Sequence, residues 1–173
     1  MIIILMGYMG SGKSLIGRSL ANAYDLKYLD LDDFIETKEK KSISKIFEDN
    51  GEIYFRKKES ECLKEVLETK KKHVISLGGG TPCFANNMEV INSYKDVKSV
   101  YLNTSVDELT DRLFKERNKR PLIAHITEKE ALNDFIRKHL FERSFYYNQA
   151  SYVIKTDNKN PEEIVSEFNT LLF

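Results

Sequence analysis

An excess of charge of either sign is missing from this sequence. Over 173 residues, 27 Lys and Arg stand against 27 Asp and Glu, a formal net charge of zero. A protein that coats a polyanion gains affinity by neutralising phosphates and usually carries a basic excess, so that class is disfavoured. Cysteine is nearly absent as well. Cys62 and Cys83 are too few for a disulfide framework or a four-cysteine metal site and form no C-x-x-C pair, so they read as two reduced thiols. No apolar run approaches the ~20 residues that cross a bilayer. The run at Met1–Met6 has no basic leader and stops at Gly7, so neither a signal peptide nor an anchor is expected. Internal repeats, low-complexity tracts and Pro-, Gly- or Ser-rich linkers are lacking too. These absences predict a single domain over residues 1–173, soluble and cytoplasmic, working as a monomer without nucleic-acid or membrane partners.

Glycine is scarce: 8 of 173 residues, below the usual ~7%. Six of the eight fall in two clusters, Gly7/Gly10/Gly12 and Gly78/Gly79/Gly80. Permissive backbone is therefore concentrated at two places. What is abundant is core material, with 41% apolar and 11% aromatic residues, which excludes a disordered chain. A domain of this length buries roughly 70% of the surface that its unfolded chain exposes.

Apolar runs of strand length alternate with longer amphipathic stretches. Strands are predicted at Ile2–Met6, Lys27–Leu29, His73–Leu77, Ser99–Leu102 and Ser151–Ile154. Helices are predicted at Lys13–Tyr24, Asp33–Lys40, Ser44–Asn50, Ile53–Thr69, Val106–Arg117, Glu128–Asn148 and Glu162–Leu172. Ser105 with Glu108, and Thr127 with Glu130, have capping-box spacing. Asn160-Pro161 with Glu163 supplies an N-cap, a proline where no donor is needed and an acidic first turn. The alternation implies right-handed crossovers and a five-stranded parallel sheet between helical layers, an α/β/α fold. Only Arg117–His125, a basic stretch holding Pro121, breaks the rhythm; it is an ordinary loop or a mobile lid carrying arginines over a ligand.

Gly7–Ser14 (GYMGSGKS) fits the phosphate-binding pattern G-x-x-x-x-G-K-[ST], with an apolar strand before it and a helix starting within it. Its glycines allow successive N–H groups to wrap a polyphosphate, and the helix N-terminus adds positive potential. Lys13 places an ammonium at the β- and γ-phosphates and the Ser14 hydroxyl ligates Mg²⁺. Asp30 and Asp32 follow the second strand and share a face if the chain stays extended there. One carboxylate could hold Mg²⁺ through water while the other takes a proton from an attacking hydroxyl; alternatively these acids cap the next helix, a role that suits Asp33 best. A buried strand runs into Gly78–Gly80, which lets backbone approach a ligand closely or serves as a plain turn. Arg56, Arg120 and Arg143 read singly as solvated charges. Beside a phosphate loop they become candidates for a carboxylate or a transferring phosphoryl group. His73, His125 and His139 lack metal-ligand spacing and read as structural or solvated.

Taken together, these motifs resemble the shikimate kinases, small P-loop kinases of the nucleoside-monophosphate-kinase type. The likeness covers essentially the whole chain. It rests on the loop at Gly7–Ser14, the D-x-D of Asp30–Asp32, Gly51–Arg56, the Gly78–Gly80 triplet, Arg120-Pro121-Leu122, and Glu142-Arg143 followed by Tyr146/Tyr147. The resemblance implies ATP-dependent phosphorylation of the 3-hydroxyl of shikimate, a step toward chorismate and the aromatic amino acids. It implies that Gly10, Ser11, Gly12, Lys13, Ser14, Leu15, Arg112, Arg120 and Asn160 bind ATP. Asp32, Arg56, Gly78, Gly79, Gly80 and Arg143 would bind shikimate. Ser14 and, through water, Asp30 would hold Mg²⁺, and Lys13, Asp32 and Arg120 would be catalytic. Residues 114–126 would form the lid, in which Arg117, Lys119 and Arg120 all compete for the phosphates. The alternatives are a P-loop kinase of gluconate or a nucleoside monophosphate, and a non-catalytic nucleotide-binding regulator.

Overall fold

A computed structural model describes residues 1–69 and 72–172. In chain order the elements are β1 (Ile2–Met6), α1 (Lys13–Ala23), β2 (Lys27–Asp30), α2 (Leu31–Glu39), α3 (Ile43–Glu68) and β3 (His73–Ser76). There follow α4 (Asn87–Ser93), β4 (Val97–Asn103), α5 (Val106–Glu116), α6 (Lys129–Tyr147), β5 (Tyr152–Lys155) and α7 (Pro161–Leu172). The five strands form one parallel sheet in the order β2-β3-β1-β4-β5. Side chains alternate across β1. Ile3 and Leu5 pack with Ile16, Leu20 and Phe168 on one face, whereas Ile2, Ile4 and Met6 join the larger core under α2 to α6. The result is the three-layer α/β/α architecture.

The strand order positions the site. From β1 the chain crosses to one side of the sheet, and from β3 it crosses over β1 to the other, so the loops after these neighbours diverge and leave a crevice at their carboxyl ends. The loop after β1 holds the first glycine cluster and the loop after β3 holds the second. The register puts Leu5, Ser76 and Asp30 at one level across three adjacent strands.

Three local expectations are corrected. Helix α2 begins at Leu31 rather than Asp33, because the Asp30 carboxylate caps it by accepting from the Asp32 amide at 3.0 Å. Asp30 and Asp32 therefore do not share the face of an extended strand. The capping box at Thr127 does not form. Its helix is capped at Glu128, which leaves Ala131, without a carboxylate, where the box needs an acid. Helix α4, only seven residues, is too short to show a helical period and was not anticipated. By contrast, Asn160 and Glu163 form the full reciprocal box, each side chain bonding the other's amide at 2.7–2.8 Å.

Candidate active site

Gly10 and Gly12 adopt left-handed backbone (φ 82° and 91°), which only glycine takes without strain. The loop thereby turns into α1, whose N-cap Gly12 offers no side chain to its first amides. Lys13 folds back, donating to the carbonyls of Gly7 (2.9 Å) and Tyr8 (3.0 Å). Burial pushes its ammonium down to about 8, against the opposing pull of Asp32 and Asp30. Arg112 ties α5 to this loop by donating to the Gly10 carbonyl at 3.1 Å while its Nε bonds Glu108.

Ser14 donates to Asp30 Oδ2 at 3.3 Å, so a hydroxyl and a carboxylate from different elements meet beside Lys13. Two hard oxygen donors suit Mg²⁺, which is commonly held by one or two protein oxygens plus substrate phosphates. Asp32 stands one residue inside α2. Burial first, then the Asp30 and Glu59 carboxylates, push its acid up to about 6, against Lys13 and Arg56. Asp33 is exposed in the first turn of α2, where an acid favours the helix dipole.

The Gly78–Gly80 triplet is the meeting point of distant charges. A Cβ on Gly78 would lie 3.1 Å from Asp32 Oδ1, one on Gly79 3.2 Å from an Arg143 nitrogen, and one on Gly80 2.4 Å from an Arg56 nitrogen. Glycine is required here for close approach rather than for positive φ. Glu59, fully buried, bonds Arg56 at 2.8 Å and Thr81 at 2.6 Å, so it holds the guanidinium against the loop. Tyr147 donates to the Gly79 carbonyl at 2.6 Å.

A cavity of about 720 Å³ opens over the phosphate loop and reaches Asp30, Asp32 and Gly79. Arg56, Gly80 and Arg143 lie beyond its edge, gathered round the glycine triplet. Exposed Leu15 lines it, as do Arg112 and Arg120. Of Arg117, Lys119 and Arg120, only Arg120 reaches this space, together with Lys115 at the start of the lid. Arg117 is occupied by the Phe114 ring, 4.2 Å away, and the Phe114 carbonyl, and Lys119 is exposed outside the cavity. Arg120 bonds Glu116 at 2.9 Å, and its Nε is buried without a hydrogen-bond partner among the described residues, so donor capacity stands ready for an anion. Asn160 is committed to capping α7; its neighbours Lys159 and Pro161 line the cavity instead.

Sequence reasoning missed Glu59, Lys115 and Lys159, and gave Tyr147 a place in a motif but no contact. For Glu59 a signal existed: Phe55, Glu59, Cys62 and Val66 share one helix face, so an acid stands within an apolar stripe. A charge in that register must be paired, and Arg56 three residues earlier is its partner.

The family model described as shikimate kinase matches residues 9–172. The shikimate kinase of Flavobacterium johnsoniae is 47% identical over 170 residues, 98% of each chain. That of Flavobacterium psychrophilum is 45% identical, over 99% of this chain and 98% of the relative. Among solved structures, the shikimate kinase from Bacteroides thetaiotaomicron superposes with a TM-score of 0.86 at 36% identity, covering 99% of this chain and 97% of that one. The shikimate kinase from Acinetobacter baumannii in complex with shikimate gives 0.85 at 32% identity, covering 99% and 92%.

Proposed function

The chain belongs to the shikimate kinase family and phosphorylates the 3-hydroxyl of shikimate from ATP in aromatic amino acid biosynthesis; on that premise we propose how its residues divide the work. Arg56 and Arg143 bind the carboxylate of shikimate, and Gly78, Gly79 and Gly80 form the wall beside it. Asp32 orients the acceptor hydroxyl and takes its proton. Amides of Gly10, Ser11 and Gly12, together with Lys13, wrap the phosphates of ATP, and Leu15 and Arg112 bound the nucleotide. Arg120 closes over the transferring phosphoryl group from a lid at residues 114–126. The α7 cap at Asn160 supports Lys159 and Pro161 at the far end of the cavity.

One observation carries this reading: Asp32, Arg56 and Arg143, from three helices, surround one glycine triplet at the edge of a phosphate-loop cavity. Two guanidinium groups beside an acid suit a compact carboxylated polyol. Phosphoryl transfer asks a protein mainly for positioning and positive charge around the equatorial oxygens, and Lys13 and Arg120 supply that charge. The acid of Asp32, raised to about 6, is matched to taking a proton near neutral pH. We assign Mg²⁺ to Ser14 and, through water, Asp30; when bound, it neutralises charge on the phosphate oxygens. Lid closure excludes water and suppresses ATP hydrolysis.

The protein works as a single cytoplasmic domain and a monomer, without nucleic acid or membrane. In support, the net charge is zero, and no helix among the described residues is long and apolar enough to cross a membrane. The test is ADP formation by the purified chain with Mg²⁺ against shikimate, gluconate and a nucleoside monophosphate. Turnover is expected with shikimate alone. Turnover on gluconate or a nucleotide instead, or tight ATP binding with no acceptor-dependent turnover, would overturn the reading.

A further inference from the structure

Tyr8 is the second residue of the phosphate loop, and its side chain is almost completely buried. Three of its parts have separate partners. Its carbonyl accepts from Lys13 at 3.0 Å. Its ring lies under the Arg143 guanidinium, 5.7 Å from the centroid. Its hydroxyl bonds Nδ1 of His139 at 2.9 Å, and the two rings meet edge to face at 5.5 Å. His139 stands one helical turn before Arg143 on α6, so both side chains lie on one face of that helix. Phe135, a further turn back, meets the imidazole edge to face at 5.5 Å. No step of the transfer assigned above uses Tyr8 or His139.

The direction of the bond follows from what else each group can reach. If Nδ1 carried the proton, the phenol would accept and its own hydrogen would be stranded in a buried place, which is costly. With Nδ1 bare, the phenol donates and both groups are satisfied. Burial pushes the Tyr8 phenol up to about 12, against Arg143, so it keeps its proton. Burial and Arg143 also lower the His139 imidazole below its usual range, against Glu142, so it stays neutral near pH 7.

We propose that Tyr8 and His139 are positioning residues for the acceptor: their hydrogen bond ties the phosphate loop to α6 and holds the Tyr8 ring as the support on which Arg143 rests. The proposal deepens, and rests on, the assignment of Arg143 to the substrate carboxylate. Arg143 also crowds Gly79, and Tyr147, one turn further on, bonds the Gly79 carbonyl. One face of α6 thus spans from the loop that binds nucleotide to the glycines that flank the acceptor. A guanidinium over an aromatic ring gains from the ring quadrupole only while the ring keeps its tilt. The hydroxyl bond fixes that tilt. It holds in this direction above the lowered value of His139 and reverses as pH falls through it, because an imidazolium donates rather than accepts, which strands the phenol hydrogen and sets a second cation beside Arg143. The charged and titratable groups around His139 are Tyr8 from the loop and Glu142 and Arg143 from its own helix.

The experiment is steady-state kinetics on the whole chain with ATP, Mg²⁺ and shikimate. Tyr8→Phe keeps the ring and removes the hydroxyl. We expect the KM for shikimate to rise by about three- to tenfold, the scale of one net hydrogen bond, with the KM for ATP changed less than about twofold. His139→Phe, which also strands the Tyr8 hydroxyl, should raise it at least as much, and the double variant should be no worse than His139→Phe alone. His139→Asn, which keeps an acceptor near the Nδ1 position, should restore most of the affinity. It should also remove the part of any acid loss of shikimate affinity that comes from His139 and leave the part set by Asp32. Equal rises in both KM values, or no rise in either, would overturn the proposal. Arg143→Lys separates the two claims. If it weakens shikimate strongly and Tyr8→Phe does not, the link fails and the carboxylate site stands. If Arg143→Lys has no effect, the carboxylate assignment fails and the link fails with it.

Discussion

At Asp32 two sets of influences oppose one another. Burial and the carboxylates of Asp30 and Glu59 favour the neutral acid, Lys13 and Arg56 favour the ion, and the balance lies near 6. An acid raised from 3.8 binds more protons folded than unfolded, so its contribution to stability falls as pH rises from about 4 to about 6 and stays unfavourable above that. Asp32→Asn removes the charge and keeps the shape. At pH 7.5 it is expected to be more stable than the parent by of order 1–2 kcal/mol, read as a higher Tm. Its turnover should fall by about 100-fold or more with ATP affinity nearly intact. Near-normal turnover would remove Asp32 as the base. In the unaltered enzyme kcat/KM for shikimate should climb with pH through about 6, since only the ionised acid accepts a proton.

Helix α3 shows how one residue sets the course of an element. Gly51 sits at φ 81°, ψ 173°, backbone that only glycine adopts readily, and the helix kinks there. Across the kink Phe47 stacks on Phe55 with centroids 4.7 Å apart, and Arg56 follows at once. The kink therefore helps to aim the guanidinium that meets Gly80. No atom lies within 4 Å of the space a Cβ at Gly51 would take, so Gly51→Ala tests the backbone alone. It is expected to cost about 1–3 kcal/mol of stability, seen as a lower Tm, and to weaken shikimate more than ATP. Unchanged stability would mean that α3 tolerates a straight course. The separate helical patterns at Ser44–Asn50 and Ile53–Thr69 made this break legible in the sequence.

For the whole molecule, zero net charge is an average over unlike regions. Lys13, Arg56, Arg120 and Arg143 come from four separate stretches, yet each touches or approaches the phosphate-loop cavity and its edge. Both substrates are anions, and this local excess of cations is the place proposed to hold them. A ligand that binds only the folded state stabilises it by mass action, about 2.7 kcal/mol at 100 times its Kd. Shikimate at that level should raise Tm by several degrees in a chain of this size, as read by thermal scanning. Gluconate at the same concentration should not. An equal shift with both would point to a non-selective anion site.

The sequence by itself determined the strand-and-helix alternation, the phosphate loop and the α7 cap. Each of these is written in neighbouring residues through hydrophobic period, glycine placement or capping chemistry. It also identified Arg56, Arg120 and Arg143 as a set, through the family's motifs, without the means to say what each touches. Tertiary structure decided the rest. The crossover from β3 over β1 set the two glycine clusters side by side. The fold left Arg120, and not Arg117 or Lys119, facing the cavity. Glu59 met Thr81, and His139 met Tyr8 across 131 residues of chain. Local patterns follow from short-range sterics and solvation, whereas the partner of a buried charge depends on which distant backbone the fold brings within about 3 Å.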